Sequence, residues 1–368
     1  MQLRLLEIRD FRNIAAASLA PSPGATVLVG PNGQGKTNLI EAVFVLVTLK
    51  PLRAGRLAEL VRFGAERAAL SGVVEGAGGE RRLSVEVAPG GRTAFLDGKV
   101  AERPDVYLEG HAAVCFTPDD LLLLKGGPEL RRRFLDRAAY NRWPAVLQEA
   151  RDYLRALRLR NAALRRGPAG VEESFREPLV RAGARLLLRR LALVAELAPR
   201  LAESFAAIAG SGAPAGQLAY RAAAGMPNGG AEEELAGRFA EILALRLERD
   251  REKGYTCAGP HMDDLVLALD GRPARAYGSQ GQQRALVLAL KVAEIENLRA
   301  ALGRPPLLLL DDVSSELDPE KNRLLLGYLA DLGAQTFLTT TDRRLVEAAA
   351  GPDAVFWRVS AGAFSVED

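Results

Sequence analysis

A glycine-rich octapeptide between a short apolar segment and a helical pattern constrains the fold of this chain more than any other feature. It matches the phosphate-binding pattern G-x-x-x-x-G-K-[ST] at every specified position and reads Gly30-Pro31-Asn32-Gly33-Gln34-Gly35-Lys36-Thr37. Residues 25–29 before it have the composition of a buried strand, and residues 38–44 after it predict a helix. The pattern therefore predicts a strand–loop–helix unit that binds the phosphates of a nucleotide.

The chemistry of phosphate binding explains why the loop needs these residue types. Glycines let the backbone come close enough for its N–H groups to point at a phosphate, and the start of the next helix adds the positive end of its dipole. We expect Lys36 to reach the β- and γ-phosphates and the Thr37 hydroxyl to bind Mg²⁺. An ordinary glycine-rich turn is the alternative, but a chance match in this context is rare.

The composition limits the class of protein. The 368 residues are enough for two or three domains, and 48% hydrophobic with 26% charged residues is typical of a globular chain in water. No apolar run approaches the roughly 20 residues that span a bilayer, and residues 1–5 do not begin a signal-peptide pattern. Cys115 and Cys257 are the only cysteines, which predicts a reducing, cytoplasmic location without disulfides. With two histidines, a structural zinc site is not expected.

Secondary-structure patterns divide the chain into three segments. Residues 1–120 carry strand, hairpin and turn signals around the octapeptide, and residues 121–250 switch to helical periodicity. Residues 251–368 return to the α/β pattern, with a buried strand at Leu307–Leu310. We therefore predict an α/β nucleotide-binding head that is built from the first and last segments and interrupted by a helical lobe.

Two adjacent carboxylates follow the predicted strand Leu307–Leu310. A carboxylate at the carboxyl end of a sheet strand lies beside the crevice in which α/β proteins bind ligands. We expect Asp311 to bind Mg²⁺, directly or through water, and Asp312 to orient or deprotonate the attacking water. A strand followed by an acidic turn is the simpler interpretation, but the phosphate-binding loop in the same chain favours the functional one.

A second phosphate-binding pattern lies about 30 residues before Asp311. Gly278-Ser279-Gln280-Gly281 begins a predicted helix over residues 281–301, so glycines, a capping serine and free helix N–H groups again stand together. Because the chain already has one phosphate loop, we interpret this segment as a contact for the nucleotide of a second copy, with Ser279 facing its phosphate. A plain helix cap is the alternative.

Basic charge is concentrated in the helical segment and consists mostly of arginine, which suits bidentate phosphate contacts. The net charge of +3 alone does not indicate a nucleic-acid-binding protein. Two stripes are candidate tracks for double-stranded DNA, and a solvated helix face remains open for each. The first is Arg151, Arg155, Arg158 and Arg165, beside an apolar stripe of Leu147, Leu154, Leu157 and Leu164; the second is Arg181, Arg185 and Arg189. No helix-turn-helix or zinc-finger pattern is present, so little base readout is expected.

These motifs, in this order, resemble those of the ATP-binding-cassette ATPases of the SMC and Rad50 class, and most closely the RecF family of bacterial recombination mediators. Several of them are specific to that family, and together they extend over almost the whole chain. They are Asp10-Phe11-Arg12-Asn13, the loop Gly30–Thr37, Pro51-Leu52-Arg53, Glu59–Gly64, Phe116–Leu121, Arg131–Asp136, Gly259-Pro260-His261 with Asp263-Asp264, residues 278–291 and Asp311–Asp318.

The resemblance implies a fold and a mechanism. It implies a cassette ATPase head with β-hairpins and a helical lobe without a long coiled coil, in which Arg12 and Asn13 lie near the nucleotide. It implies weak, DNA-stimulated hydrolysis of ATP with Mg²⁺, pairing of two chains on ATP, and a segment Ser314–Asp318 that crosses their interface. It also implies binding to double-stranded, gapped and junction DNA, and partners of the RecO and RecR kind that help load RecA in replication, repair and the SOS response.

Three positions qualify what the resemblance carries over. Met262 stands where the family usually has arginine after Gly-Pro-His, so a role of that arginine is not assigned here. Asp312 is shorter than the glutamate of transporter cassettes, which suits slow hydrolysis in a timed clamp. We interpret His261 as structural, because a lone histidine in a Gly-Pro turn more often packs than catalyses.

Two other classes of function share the phosphate loop. An ATPase subunit of a transporter would need a transmembrane partner, and the large helical insertion counts against it. A small-molecule kinase would leave the Ser279 segment and the Ser314–Asp318 segment without a role. Another SMC- or Rad50-like ATPase is the alternative within the same class.

Overall fold

The fold is described from a computed structural model of the chain, over residues 1–53, 55–76, 79–168, 170–210, 212–223, 225–312, 325 and 327–367. The chain forms two compact units. Unit 1 combines Met1–Asp120 with Leu298–Asp368, and unit 2 is Leu121–Asn297. Residues 251–297, which the sequence pattern assigns to the head, therefore group with the helical lobe. The reason is strand pairing, because Asp264–Leu269 pairs with Gly216–Arg221 inside unit 2.

The described residues contain fifteen strands. They are β1 Gln2–Phe11, β2 Ile14–Leu19, β3 Ala25–Val29, β4 Ala68–Gly76, β5 Gly79–Ala88, β6 Gly91–Leu96, β7 Lys99–Val100, β8 Ala113–Phe116, β9 Gly216–Arg221, β10 Asp264–Leu269, β11 Arg272–Pro273, β12 Leu307–Leu310, β13 Thr336–Thr340, β14 Val355–Ser360 and β15 Ala363–Glu367.

The main helices are concentrated in the segment 121–250 that is predicted to be helical, but they also occur on both sides of it. They are α1 Lys36–Thr48, α2 Pro104–Leu108, α3 Leu122–Lys125, α4 Pro128–Arg142, α5 Val146–Arg166, α6 Arg176–Ala209, α7 Glu232–Leu245, α8 Leu247–Lys253, α9 Ala274–Tyr277, α10 Gln280–Leu302 and α11 Glu347–Ala350. None of the helices in the described ranges is long and apolar enough to cross a membrane.

Unit 1 contains two six-stranded sheets. The first has the order β2-β1-β4-β5-β6-β7 and is antiparallel throughout. The second has the order β15-β14-β3-β13-β12-β8, in which only β15 runs antiparallel. Consequently β13 lies between β3, which leads into the phosphate loop, and β12, which is followed by Asp311.

Helix α1 lies between these two sheets and is apolar around most of its circumference. It contacts β1, β4 and β5 of the antiparallel sheet and β8, β12 and β13 of the parallel sheet. Eleven of its residues are buried, which matches a helix without a solvent-facing side. This helix fixes the phosphate loop from its carboxyl side.

Unit 2 has its own core, in which helices α4 to α7 pack with the β9–β10–β11 sheet. On α5 the apolar stripe is confirmed at Leu147 and Leu157, which are buried, but it is wrong at Leu154, which is 48% exposed. Tyr153 faces the core instead, and its neighbour Leu154 is rotated about 100° away from it. Leu164 is half-buried.

One buried ion pair ties α5 to α8. Arg160 is 1% exposed, and its Nη1 atom donates to Asp250 Oδ2 and to Thr256 Oγ1, both at 2.7 Å. The other oxygen of Asp250 accepts the backbone N–H of Cys257 at 2.9 Å. The buried charges therefore balance each other, and both Asp250 oxygens accept hydrogen bonds, while Arg160 Nε is buried without a partner.

Candidate nucleotide site

The phosphate-binding loop connects β3 to α1. Gly35 caps the helix with a φ of +116°, and Gly33 has a φ of +80°, a left-handed region that favours glycine. A Cβ added to Gly33 would meet nothing within 4 Å, so the loop is open there. Pro31 and Asn32 are exposed, and Lys36 is the first residue of α1.

The back of the loop is held by two turns. The carbonyl of Gln34 accepts the N–H of Gly362 at 2.8 Å and the side-chain amide of Asn13 at 3.2 Å. The side chain of Gln34 accepts the N–H of Ala361 at 2.7 Å. Gly30 is tight rather than open, because a Cβ there would lie 2.5 Å from a backbone oxygen of β14. The β14–β15 hairpin thus braces the loop, which the sequence did not predict.

The side chain of Lys36 lies against the loop. Its Nζ atom donates to the carbonyl oxygens of Gly30 at 2.5 Å and Pro31 at 2.9 Å, and the residue is 7% exposed. Burial lowers the pKa of Lys36, while the carboxylates of Asp312 and Asp311 act in the opposite direction. The ammonium group is therefore held where phosphate oxygens would meet the loop.

Asp311 and Thr37 are 274 positions apart in the chain and in direct contact. Thr37 Oγ1 donates to Asp311 Oδ1 at 2.8 Å, and Thr339 Oγ1 donates to the same oxygen at 3.0 Å. Burial raises the pKa of Asp311, and the hydrogen bonds from Thr37 and Thr339 oppose the rise. Sequence reasoning missed Thr339, because only the order of the strands reveals that it lies between the two motifs.

Asp312 turns the chain away from the sheet. Its backbone is left-handed, with a φ of +50°, and its N–H donates to Thr339 Oγ1 at 2.8 Å. The Thr339 hydroxyl thus donates to one of the paired aspartates and accepts from the backbone of the other. The segment Ser314–Asp318, expected to cross a dimer interface, lies outside the described residues.

Arg12 and Asn13 form the β1–β2 turn. Asn13 contacts the phosphate loop directly, as described above, but the Arg12 side chain contacts the helix behind it. Arg12 Nε donates to Glu41 Oε2 at 2.9 Å, and Nη1 donates to the carbonyl of Glu59 at 2.8 Å. Glu41 is fully buried on α1 and also accepts the N–H of Arg53 at 3.3 Å. A carboxylate inside an otherwise apolar helix was the unused sequence signal for Glu41.

These residues suit a nucleoside triphosphate with Mg²⁺. The Thr37 hydroxyl and the Asp311 carboxylate offer hard oxygen ligands within 2.8 Å of each other, the type that Mg²⁺ prefers. The Lys36 ammonium and the N–H groups at the start of α1 offer positive charge to phosphate oxygens. Lys36, Thr37, Asp311 and Asp312 therefore meet at one edge of the parallel sheet.

Ser279 lies in unit 2 and is exposed at the start of α10. Its Oγ atom accepts the N–H of Gln282 at 3.2 Å, and Gln282 Oε1 accepts the N–H of Ser279 at 2.9 Å. This reciprocal arrangement is a capping box. A cap and a phosphate contact are compatible, because the cap uses a lone pair of the hydroxyl and not its hydrogen.

The two arginine stripes differ in their partners. Arg181, Arg185 and Arg189 pair with Glu177 at 2.5 Å, Glu232 at 2.8 Å and Glu149 at 3.0 Å. Arg151, Arg155, Arg158 and Arg165 are exposed on α5, and no carboxylate among the described residues forms an ion pair with any of them. The first stripe therefore offers unneutralised charge to a polyanion, and the second does not.

The Gly259-Pro260-His261 motif is built into the interior of unit 2. His261 Nε2 lies 2.9 Å from the carbonyl of Thr256 and must donate to it, so Nδ1 accepts the Tyr153 hydroxyl at 2.6 Å. Burial lowers the pKa of His261, which favours this neutral form. These contacts agree with a structural role for His261. The neighbouring Met262 is 47% exposed.

Comparisons with known proteins show the family of the chain. The family model described as RecF/RecN/SMC N terminal domain matches residues 2–361. A protein named DNA replication and repair protein RecF, from Anaeromyxobacter dehalogenans (strain 2CP-C), is 72% identical over 368 residues and covers 99% of each chain.

Two solved structures confirm the predicted fold. The recombination mediator protein RecF with ATP, described in the RecFOR pathway, has a TM-score of 0.89 at 28% identity and covers 100% of this chain and 99% of that one. An Smc head bound to the C-winged helix domain of ScpA has a TM-score of 0.54 at 17% identity, covering 100% and 97%, and shows the fold alone. The α/β head with a helical lobe is thus confirmed.

Proposed function

This chain belongs to the RecF family, and we propose that it is an ATP-hydrolysing, DNA-binding protein of recombinational repair. The observation that carries the proposal is the contact of Thr37 with Asp311 at 2.8 Å beside the open glycine loop. It joins two motifs that lie at opposite ends of the chain and that have a shared purpose in nucleotide hydrolysis. The solved RecF structure with ATP supports ATP as the nucleotide.

The residues of the site have separate roles in the proposed hydrolysis. Lys36 and the N–H groups of the loop bind the phosphates, and Asn13 supports the loop through Gln34. Thr37 and Asp311 would hold Mg²⁺, which neutralises charge that develops on the phosphates. Asp312 orients the attacking water and accepts its proton. Thr339 holds the carboxylate of Asp311 and the backbone N–H of Asp312.

We extend the proposal to a pair of chains. Ser279 would donate its hydroxyl hydrogen to the γ-phosphate of the nucleotide on a second copy, so each site needs both chains. ATP then joins the chains, and hydrolysis separates them. A site completed only on pairing predicts weak turnover in the isolated protein.

The pairing predicts a mass change that sedimentation can measure. With Mg-ATP the intact protein should sediment as a dimer, and with Mg-ADP or without nucleotide as a monomer. Asp312→Asn should keep the dimer for longer, because it removes the proton acceptor and leaves Lys36 and Thr37 of the loop in place. Asp331→Asn, an exposed aspartate of unit 1, is the matched control. A monomer under every condition would rule out the two-chain site for the protein alone.

We also propose that the Arg151, Arg155, Arg158 and Arg165 stripe binds the phosphate backbone of DNA. Its charges are exposed and lack carboxylate partners in the described chain, and binding of this kind carries little sequence information. RecO- and RecR-like proteins would be the partners at gapped or junction DNA, with RecA loading as the outcome. The description of the solved RecF as a recombination mediator in the RecFOR pathway supports this assignment.

The stripe proposal predicts a change in the salt dependence of DNA binding. Arg155→Ala with Arg158→Ala should weaken binding to double-stranded DNA about tenfold, and lower the slope of log affinity against log salt by roughly 2. Arg181→Ala with Arg185→Ala, whose charges are already paired, should change neither by much. Fluorescence anisotropy over a salt series measures both quantities. Equal effects of the two pairs would contradict the assignment.

A further inference from the structure

Beside the capping box, the segment around Ser279 contains a buried amide that the proposed mechanism does not use. Gln283 is 7% exposed, and its Nε2 atom lies 3.0 Å from the carbonyl oxygen of Gly278 and 3.2 Å from those of Ala274 and Arg275. The two hydrogens of this one amide nitrogen are thus shared among three backbone carbonyls of the segment immediately before Ser279. Its own Oε1 atom is buried without a hydrogen-bond partner.

The geometry points to Gln283 as a positioning residue that acts through Ser279. Helix α9 has four residues, so most of its carbonyls have no donor within the helix, although that of Ala274 accepts the N–H of Gly278 at 3.0 Å. From the first turn of the next helix, the Gln283 amide reaches the Arg275 carbonyl and adds a second donor at Ala274. Gln283 also donates its backbone N–H to the carbonyl of Ser279 at 2.9 Å. Gln283 therefore contacts the carbonyl that precedes Ser279 and the carbonyl of Ser279 itself.

Gly278 shows how closely this segment is packed. A Cβ added to Gly278 would lie 2.9 Å from the carbonyl of Ala274, 3.1 Å from the side chain of Leu269 and 3.4 Å from Gln283 Cγ. A side chain at position 278 would therefore need a shift of its neighbours. This close packing, together with the Gln283 amide, holds the backbone that precedes Ser279.

Rigid placement has a functional consequence for a hydroxyl that donates to a phosphate on another chain. Such a donor stabilises the reaction only if it is aimed before the chains meet, and a displacement of about 1 Å can cost up to 100-fold in rate. Gln283 does not touch the nucleotide in this scheme. The inference rests on the proposed two-chain site, in which Ser279 completes the partner's ATP site.

The test compares ATP turnover with nucleotide binding in full-length variants. Gln283→Met removes the amide but keeps the length, and should lower kcat about tenfold. The Kd for a fluorescent ATP analogue, measured at a protein concentration too low for pairing, should stay within about twofold, since the variant leaves the phosphate loop untouched. Gln283→Glu keeps the shape of the side chain and loses its N–H donors, so it should lower kcat by a similar factor. It replaces Gln283→Met in the test if that variant folds poorly.

Two further variants separate positioning from a loss of stability. Gln335→Met is the matched control, because Gln335 is 2% exposed and its amide also bonds backbone carbonyls, those of Leu3 and Ser22 at 2.9 and 2.8 Å. It should cost stability without lowering kcat. Ser279→Ala should lower kcat by itself, and Gln283→Met added to it should lower kcat no further, because a positioning residue has nothing left to position.

The outcomes distinguish this inference from the function on which it rests. If Ser279→Ala keeps full turnover, the two-chain site is wrong and the role of Gln283 falls with it. If Ser279→Ala is impaired but Gln283→Met and Gln283→Glu are not, only the positioning role is wrong. Losses that multiply in the double variant, or an equal loss with Gln335→Met, would likewise reject positioning.

Discussion

Replacing Lys36 with alanine is expected to lower the ATP turnover of this protein by at least about 100-fold. The ammonium group is only slightly exposed, lies against the loop and is the positive charge that the site offers to the phosphates as charge develops on them. A water molecule in the space left by the lysine side chain would carry no charge, so it would not replace the ammonium group. A coupled phosphate-release assay at saturating Mg-ATP measures the effect.

The control for Lys36 is a lysine of the same unit. Lys99→Ala, at an exposed position of β7, should keep turnover within about twofold, as surface substitutions usually do. A second site variant, Asp311→Asn, should also lower turnover strongly, and the affinity of this variant for the nucleotide should depend much less on Mg²⁺. If Lys36→Ala retained a tenth of wild-type turnover or more, hydrolysis would have to take place elsewhere in the protein.

The second large effect concerns the stability of unit 2. Arg160→Met should lower its free energy of unfolding by about 3–5 kcal/mol, because it leaves the buried Asp250 carboxylate without its cation. Hydrogen exchange of the amides in α5 measures this free energy for unit 2 by itself. Arg158→Met, an exposed arginine on the same helix, should change it by less than about 0.5 kcal/mol.

A double variant tests the cause of that loss. Asp250→Asn in the Arg160→Met background should recover part of the stability, because the charge that lost its partner is then absent. If both single variants and the double variant lost the same small amount, the ion pair would be replaceable by ordinary packing.

The sequence predicts those parts of the site that depend on local backbone chemistry. The glycines, Lys36 and Thr37 lie in one contiguous segment, and Asp311 follows a short apolar run after two prolines, a pattern that favours a buried strand. Such patterns show at which end of its own strand or helix each residue lies. They were sufficient for the α/β head, the helical lobe and the family.

Residues that reach the site through the sheet could not be predicted in this way. Thr339 has no pattern of its own and lies between the motifs only because β13 separates β3 from β12. Similarly, the sequence pattern assigns β10 to the head, because strand signals return after residue 250. In the structure β10 pairs with β9 in unit 2 instead. Strand order and pairing depend on distant segments, which local periodicity does not describe.

The strands of the parallel sheet come from both ends of the chain, and this determines the order in which parts of the protein can fold during synthesis. Gln335 donates to the carbonyl of Ser22, 313 positions earlier, so the ribosome must translate for on the order of 15–60 s before this contact exists. Unit 2 emerges within that interval with a complete core of its own. Strands β3 and β8 must therefore remain without their partners β13 and β12 until the last segment is synthesised, whereas the antiparallel sheet, built from residues 2–100, can pair earlier.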